Sequence, residues 1–161
     1  MNLTGKKYSL LPTNKVSPDG QQLFQIIAAR DMFSIQVRKG SLGGHVTGPD
    51  NLSQDGTCWI DEGCAAYGNA VVDGDALLRN GSTIADNVVV TGNSYIDGSH
   101  LKGNIVVEGF SFTTLEGVTL AGDLVFNGTS ISKPPKLDTA VRPTLNTQAE
   151  PGAFPKPQND A

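Results

Sequence analysis

The sequence predicts an all-β chain: a single-stranded left-handed parallel β-helix of about four triangular coils, with a small N-terminal β cap and a Pro-rich C-terminal tail. Three observations predict it. Ile60, Ala66, Val72, Leu78, Ile84, Val90 and Ile96 follow one another at six-residue intervals without a slip. Four residues after each stand Cys64, Ala70, Ala76, Ser82, Val88, Ser94 and His100, all but the last small or β-branched. Glycine is abundant, at 19 of 161 residues, and crowds the intervals together with Asn and Asp.

A strand alternates with period two and a helix with period 3.6, so neither explains a strict period of six. A solenoid of hexapeptide units does. Each unit is one short flat strand plus a corner, and three units close a coil. The aliphatic residue points inward, the small residue fits where two walls converge, and Asn or Gly turns the corner because each tolerates a left-handed backbone. After His100 the spacing becomes uneven. Leu101-Lys-Gly, Val107-Glu-Gly, Leu115-Glu-Gly, Leu120-Ala-Gly and Phe126-Asn-Gly keep an aliphatic-any-Gly theme. This reads as further coils with short insertions, the irregular stretch being 108–118. The solenoid, taken as 51–131, would stand roughly 19 Å tall over its repeats at about 4.8 Å per coil.

Residues 1–50 do not repeat. KKYSLL and QLFQIIAA read as two strands joined by the Pro18-Asp19-Gly20 turn, and FSIQV at 33–37 as a third. A solenoid needs a cap over its open core and unpaired edge, and these strands supply one. Residues 132–161 contain six of the nine prolines. They read as an extended or disordered tail, with Val141, Leu145 and Phe154 as anchors if it orders against a partner.

The totals exclude several functions. No apolar run is long enough to span a membrane, and the start MNLTGKKYSLL lacks a signal-peptide core, so a cytoplasmic protein is expected. Net charge is −4, concentrated as −7 over residues 60–131, which argues against a nucleic-acid partner. The two cysteines, Cys58 and Cys64, with His45 and His100, are too few for a metal site and read as buried thiols. No motif calls for a cofactor.

The segment leading into the coils carries a recognisable text: Arg38-Lys-Gly-Ser-Leu-Gly-Gly-His-Val46, Asn51-Leu-Ser-Gln-Asp-Gly-Thr-Cys-Trp-Ile60 and Tyr67-Gly-Asn-Ala70. It resembles a poorly characterised family of bacterial and prophage proteins with a K-x-G-[DS]-L-G-G motif, an N-L-S…W segment and Y-G-N-A repeats. The resemblance covers about residues 6–100 and implies a left-handed β-helix of the hexapeptide-transferase type. Y-G-N-A appears once here, a departure from the family's monotony. Hexapeptide acyltransferases are typically trimers that use a histidine as general base and a projecting loop to bind the acyl carrier. In this sequence His100 falls on an inward small-residue position, where it reads as corner packing. His45 reads as structural in the cap, and no catalytic residue is assigned.

Along the coil, residues 18 apart should stack. Asp61, Arg79 and Asp97 form one expected outward column, Asp75 should lie on Asn93, and Asn69 on Asn87. The position before each inward aliphatic points outward and is often apolar. Trp59, Leu77 and Tyr95 form one such column, and Val71, Val89 and Val107 a second, with Ala65, Thr83 and Leu101 a mild third. Apolar stripes on a β-wall mark interfaces, although the cap or the tail could fold over one of them. The expectation is a homotrimer used as a non-enzymatic binding or structural module of phage type, a virion component or an accessory protein engaging a host factor. The alternatives are a hexapeptide-type acyltransferase, a protein that sequesters a small ligand or inhibits a host enzyme, and a polymerising scaffold.

Overall fold

The six-residue spacing builds one continuous column of core. In the structure, a computed structural model describing residues 5–132 (side chains 110–112 excepted), all seven aliphatic positions from Ile60 to Ile96 are fully buried. The small positions Cys64, Ala70, Ala76, Ser82, Val88 and Ser94 are buried beside them. The expectations for the tail, including Val141, Leu145 and Phe154, lie outside the described residues.

The described elements are strands, with 3-10 turns at Phe33–Ile35 and Pro49–Asn51. In chain order the strands are β1 (Tyr8–Val16), β2 (Gln22–Ala28), β3 (Leu42–Val46), β4 (Trp59–Ile60), β5 (Ala65–Ala66), β6 (Val71–Val72), β7 (Leu77–Arg79), β8 (Thr83–Ile84), β9 (Val89–Asp97), β10 (His100–Glu116), β11 (Thr119–Asn127) and β12 (Ser130–Ser132). Strands β3–β12 form a parallel β-solenoid of about five turns with three walls. The first wall stacks β3, β5, β8 and the starts of β10 and β11. Leu52, β6, the start of β9, the middle of β10 and the end of β11 make the second. β4, β7, the end of β9, the end of β10 and β12 make the third.

The solenoid begins before the hexapeptide repeats, because β3 belongs to the first wall. Its His45 and Val46 pair in parallel with Ala65 and Ala66, while its other edge pairs antiparallel with β2. The cap is thus the antiparallel hairpin β1–β2 sewn onto the first rung. FSIQV is not a strand: Phe33–Ile35 turns, and Gln36 is left-handed at φ 61°.

The motifs leading into the coils have physical reasons. A Cβ on Gly44 would stand 2.4 Å from the Cys64 carbonyl oxygen, so strand and corner approach only because that residue is glycine. Asn51 is buried; its Oδ1 accepts from Thr47 N–H and Oγ1–H (2.8 Å each), and its Nδ2 donates to the Ala70 carbonyl (2.7 Å). It ties the turn between β3 and Leu52, in the first coil, to the second coil.

Two departures from strict counting set the rest of the register. Ile96 and Leu101 are inward positions five residues apart, so the corner between them is one residue short. Ser99, not His100, takes the buried small position. Between Gly109 and Thr113 two extra residues enter relative to Gly92 and Ser94. This is the irregular stretch expected around 108–118.

Candidate functional site

The one-residue shortening moves side chains between inside and outside. Leu101 and Val107 are buried core residues, not members of outward columns, because the frame shifts before them rather than after His100. Val106 takes the outward place that was expected of Val107 and pairs with Val89. His100 is outward and exposed instead of packed in a corner.

On the third wall, Trp59 is 2% and Leu77 9% exposed within the single chain. A Cβ at Gly43 would lie 3.0 Å from the Trp59 ring and 3.1 Å from Ile26, so the cap lies over the tryptophan. Tyr95 is half-buried; its hydroxyl accepts from Arg79 Nη1 at 2.6 Å, and the Arg79 guanidinium stands 5.2 Å from its ring centre. Arg79 Nε lies 3.2 Å from Asp61 Oδ2, an ion pair without hydrogen-bond alignment. Burial raises the Asp61 carboxyl above 3.8, and Arg79 opposes that rise. Asp97 accepts from Asn80 Nδ2 at 2.5 Å. Asp75 accepts from the Thr57 N–H and hydroxyl, and its own N–H donates to the Gly92 carbonyl (3.1 Å), which keeps it in register with Asn93. Asn69 does stack on Asn87 (3.3 Å), and the ladder runs on to Asn104 (2.9 Å) and Asp123 (2.8 Å).

The first wall carries what sequence counting separated. Its outward column is His45, Ala65, Thr83, His100 and Thr119. Three rungs separate the two histidines, about 14 Å at the usual strand spacing. Thr83 Oγ1 and His100 Nδ1 are 2.8 Å apart and share a hydrogen.

The β1–β2 hairpin borders this column. Its tip is fixed by the Ser17 N–H bond to the Gln21 carbonyl (2.7 Å), the Gly20 N–H bond to the Ser17 carbonyl (2.9 Å), and a bond from Ser17 Oγ to Asp19. Two cavities lie between the tip and the wall. One, of about 370 Å³, runs past Thr83, Ala85, His100, Leu101, Lys102 and Leu120. The other, of about 900 Å³, holds His45 with Thr13, Lys15, Gln25 and Glu62. Pro18, Tyr67 and Thr83 line both, so they form one groove. Both halves carry charged residues, Asp19, Asp86 and Lys102 beside His100 and Lys15 and Glu62 beside His45, but the surface beside His100 is the more apolar.

Burial holds the His45 imidazole below 6.5; Lys15 pushes the same way, and Glu62 opposes. His45 is therefore neutral near pH 7, with a lone pair free to take a proton. Burial raises the Tyr67 phenol, which stays a neutral donor.

Fold and groove together define a β-solenoid with a histidine-bearing groove roofed at one end by its own cap. Comparison with known proteins adds one finding. Over 81 residues, 50% of this chain, the sequence is 35% identical to an Escherichia coli K12 protein named "Uncharacterized acetyltransferase YdcK". The chain spans 24% of that protein's length. No protein-family model matches. Among the described residues no helix is long and apolar enough to cross a membrane.

Proposed function

We propose that the chain is an acyl-transfer β-solenoid that holds its acceptor in the groove between the hairpin and the first wall. The observation that carries this reading is the placement of both histidines on one outward column facing one groove. The likeness to a protein named as an acetyltransferase supports it and favours that alternative over the phage-type structural module. The hexapeptide-type repeats agree with it.

In this reading His45 is the general base. It removes a proton from an acceptor hydroxyl or amine as that atom attacks the acyl thioester, and the thiol leaves. A depressed imidazole keeps the base unprotonated at neutral pH. The Thr83–His100 pair fixes the acceptor's other end, its imidazole oriented by the hydrogen shared at Nδ1. The homotrimer expected from the sequence belongs to the same proposal. Its packing face is the second wall, where Val71, Val89 and Val106 stand outward in one column.

The test is thiol release from acetyl-coenzyme A with a panel of small hydroxyl and amine acceptors. Turnover that falls at least about 100-fold in His45→Gln supports the reading. Absence of both thioester binding and turnover overturns it. Acceptor binding without turnover supports the ligand-sequestering alternative instead.

A further inference from the structure

Lys7 is fully buried, a state that lysine almost never adopts without a partner. Its backbone is anchored on both sides: the N–H donates to Gln54 Oε1 (2.7 Å), and the carbonyl accepts from Ala29 N–H (2.8 Å). Its Nζ stands 2.8 Å from the Cys58 carbonyl oxygen, 3.1 Å from that of Asp55 and 3.0 Å from Cys58 Sγ. Cys58 is also fully buried and is a free thiol. The pair lies under the cap, and the groove does not use it.

We propose that Lys7 and Cys58 form an oxidative modification site, in which one oxygen atom from dioxygen joins Nζ to Sγ. From the thiol and the amine form of lysine, the S–H bond and one N–H bond break. An S–O and an O–N bond form, and the two hydrogens leave with the second oxygen atom as water. Sulfur and nitrogen give up two electrons each, and dioxygen takes all four, so the step balances.

The geometry carries this assignment. At 3.0 Å the nitrogen and sulfur already stand at nearly the separation that an N–O–S linkage spans, so closure needs only a small shift. Both side chains are held by backbone groups, so neither has to be found by diffusion. Burial admits dioxygen but excludes a bulky thiol partner, which disfavours mixed disulfides. It also limits the further oxidation to sulfinic and sulfonic acid that exposed cysteines undergo. Cys64 is a comparison within the same chain: equally buried, it has the Gly81 and Ser82 backbone beside it and no amine.

The link would fasten the start of β1 to the first coil, across 51 positions of sequence. Closing so long a loop restricts the unfolded chain, so the oxidised protein should melt at a higher temperature than the reduced one.

The experiment is intact-mass and peptide-mapping spectrometry of the full chain after aerobic incubation, with and without dithiothreitol. The expected result is a gain of about 14 Da, one oxygen in and two hydrogens out. It should be reversed by the reductant, with the Lys7 and Cys58 peptides joined and tryptic cleavage after Lys7 lost. The gain should vanish in Cys58→Ser and persist in Cys64→Ser. No gain after prolonged exposure, or gains of about 16 or 32 Da confined to Cys58, would overturn the proposal. The wild-type peptide map alone decides, so a variant that folds poorly does not obscure the answer.

Discussion

Thr83 Oγ1 and His100 Nδ1 meet at 2.8 Å across neighbouring coils, although 17 residues rather than 18 separate them. The missing residue turns His100 out of the solenoid and onto the groove. Thr83→Val removes the hydroxyl but keeps the β-branched shape, so the fold should hold. Thioester turnover should survive with a weaker acceptor, seen as a rise in KM of roughly 10-fold for one lost hydrogen bond, with kcat nearly unchanged.

His45 gives a pH prediction whose sign is fixed by the direction of its shift. Its folded pKa lies below the unfolded 6.5, so the unfolded chain binds the proton better. The contribution of His45 to stability is complete above pH 6.5 and is lost as pH falls below it toward the folded value. Denaturant titrations from pH 8 to 5 should show this loss in wild type and a smaller one in His45→Gln. If His45 is the base, the acid limb of kcat/KM has its midpoint below 6.5.

Tyr8 ties the cap to the first coil. It is 1% exposed, and its hydroxyl donates to the Leu52 carbonyl at 2.5 Å. Burial, with Cys58 and Asp50 adding to it, pushes the phenol up to about 12. Tyr8→Phe strands a buried carbonyl and should cost about 1–3 kcal/mol in urea unfolding. Wild-type stability should also fall between pH 10 and 12, because the unfolded phenol ionises first. The Phe variant loses that contribution.

Gly74 marks how tightly one corner stacks. Its φ is +67°, and a Cβ there would lie 2.7 Å from the Gly92 nitrogen. Gly63 has a φ of +94° but open space around it. Gly63→Ala should therefore cost only the left-handed penalty of about 1–2 kcal/mol. Gly74→Ala adds a steric overlap and should cost roughly 2–5 kcal/mol. Paired thermal melts of the two variants test the difference.

The second-wall proposal is checked by light scattering. Wild type should run as a trimer, and Val89→Lys should run as a monomer with an unchanged far-ultraviolet spectrum. A monomeric wild type would remove this face as an interface.

The core was legible in the sequence because burial acts on each repeat in the same way. Every inward residue from Ile60 to Ile96, and its small companion as far as Ser94, could be placed by spacing alone. The groove was harder to read. It depends on where one residue is missing, and the signal for that lay in Leu101 and Val107, six apart but displaced from the frame of Ile96. Taking the slip to follow His100 put the histidine in a corner and Val107 outside. Burial of Trp59 was not legible from periodicity, because it comes from the non-repeating cap. His45 was hidden for the same reason: nothing in Gly-Gly-His-Val announces that its strand continues a wall.

The asparagine ladder bears on how such a chain can change over time. Its members, Asn69, Asn87, Asn104 and Asp123, are separated by 18, 17 and 19 positions, yet each meets the next. The solenoid therefore keeps its ruler in space rather than along the chain. A corner can gain or lose residues while rungs on either side stay aligned, so insertions and deletions need not be lethal to the architecture. One such deletion is enough to turn a buried position into a surface one, giving lineages of this fold an inexpensive way to bring a new side chain to a binding face.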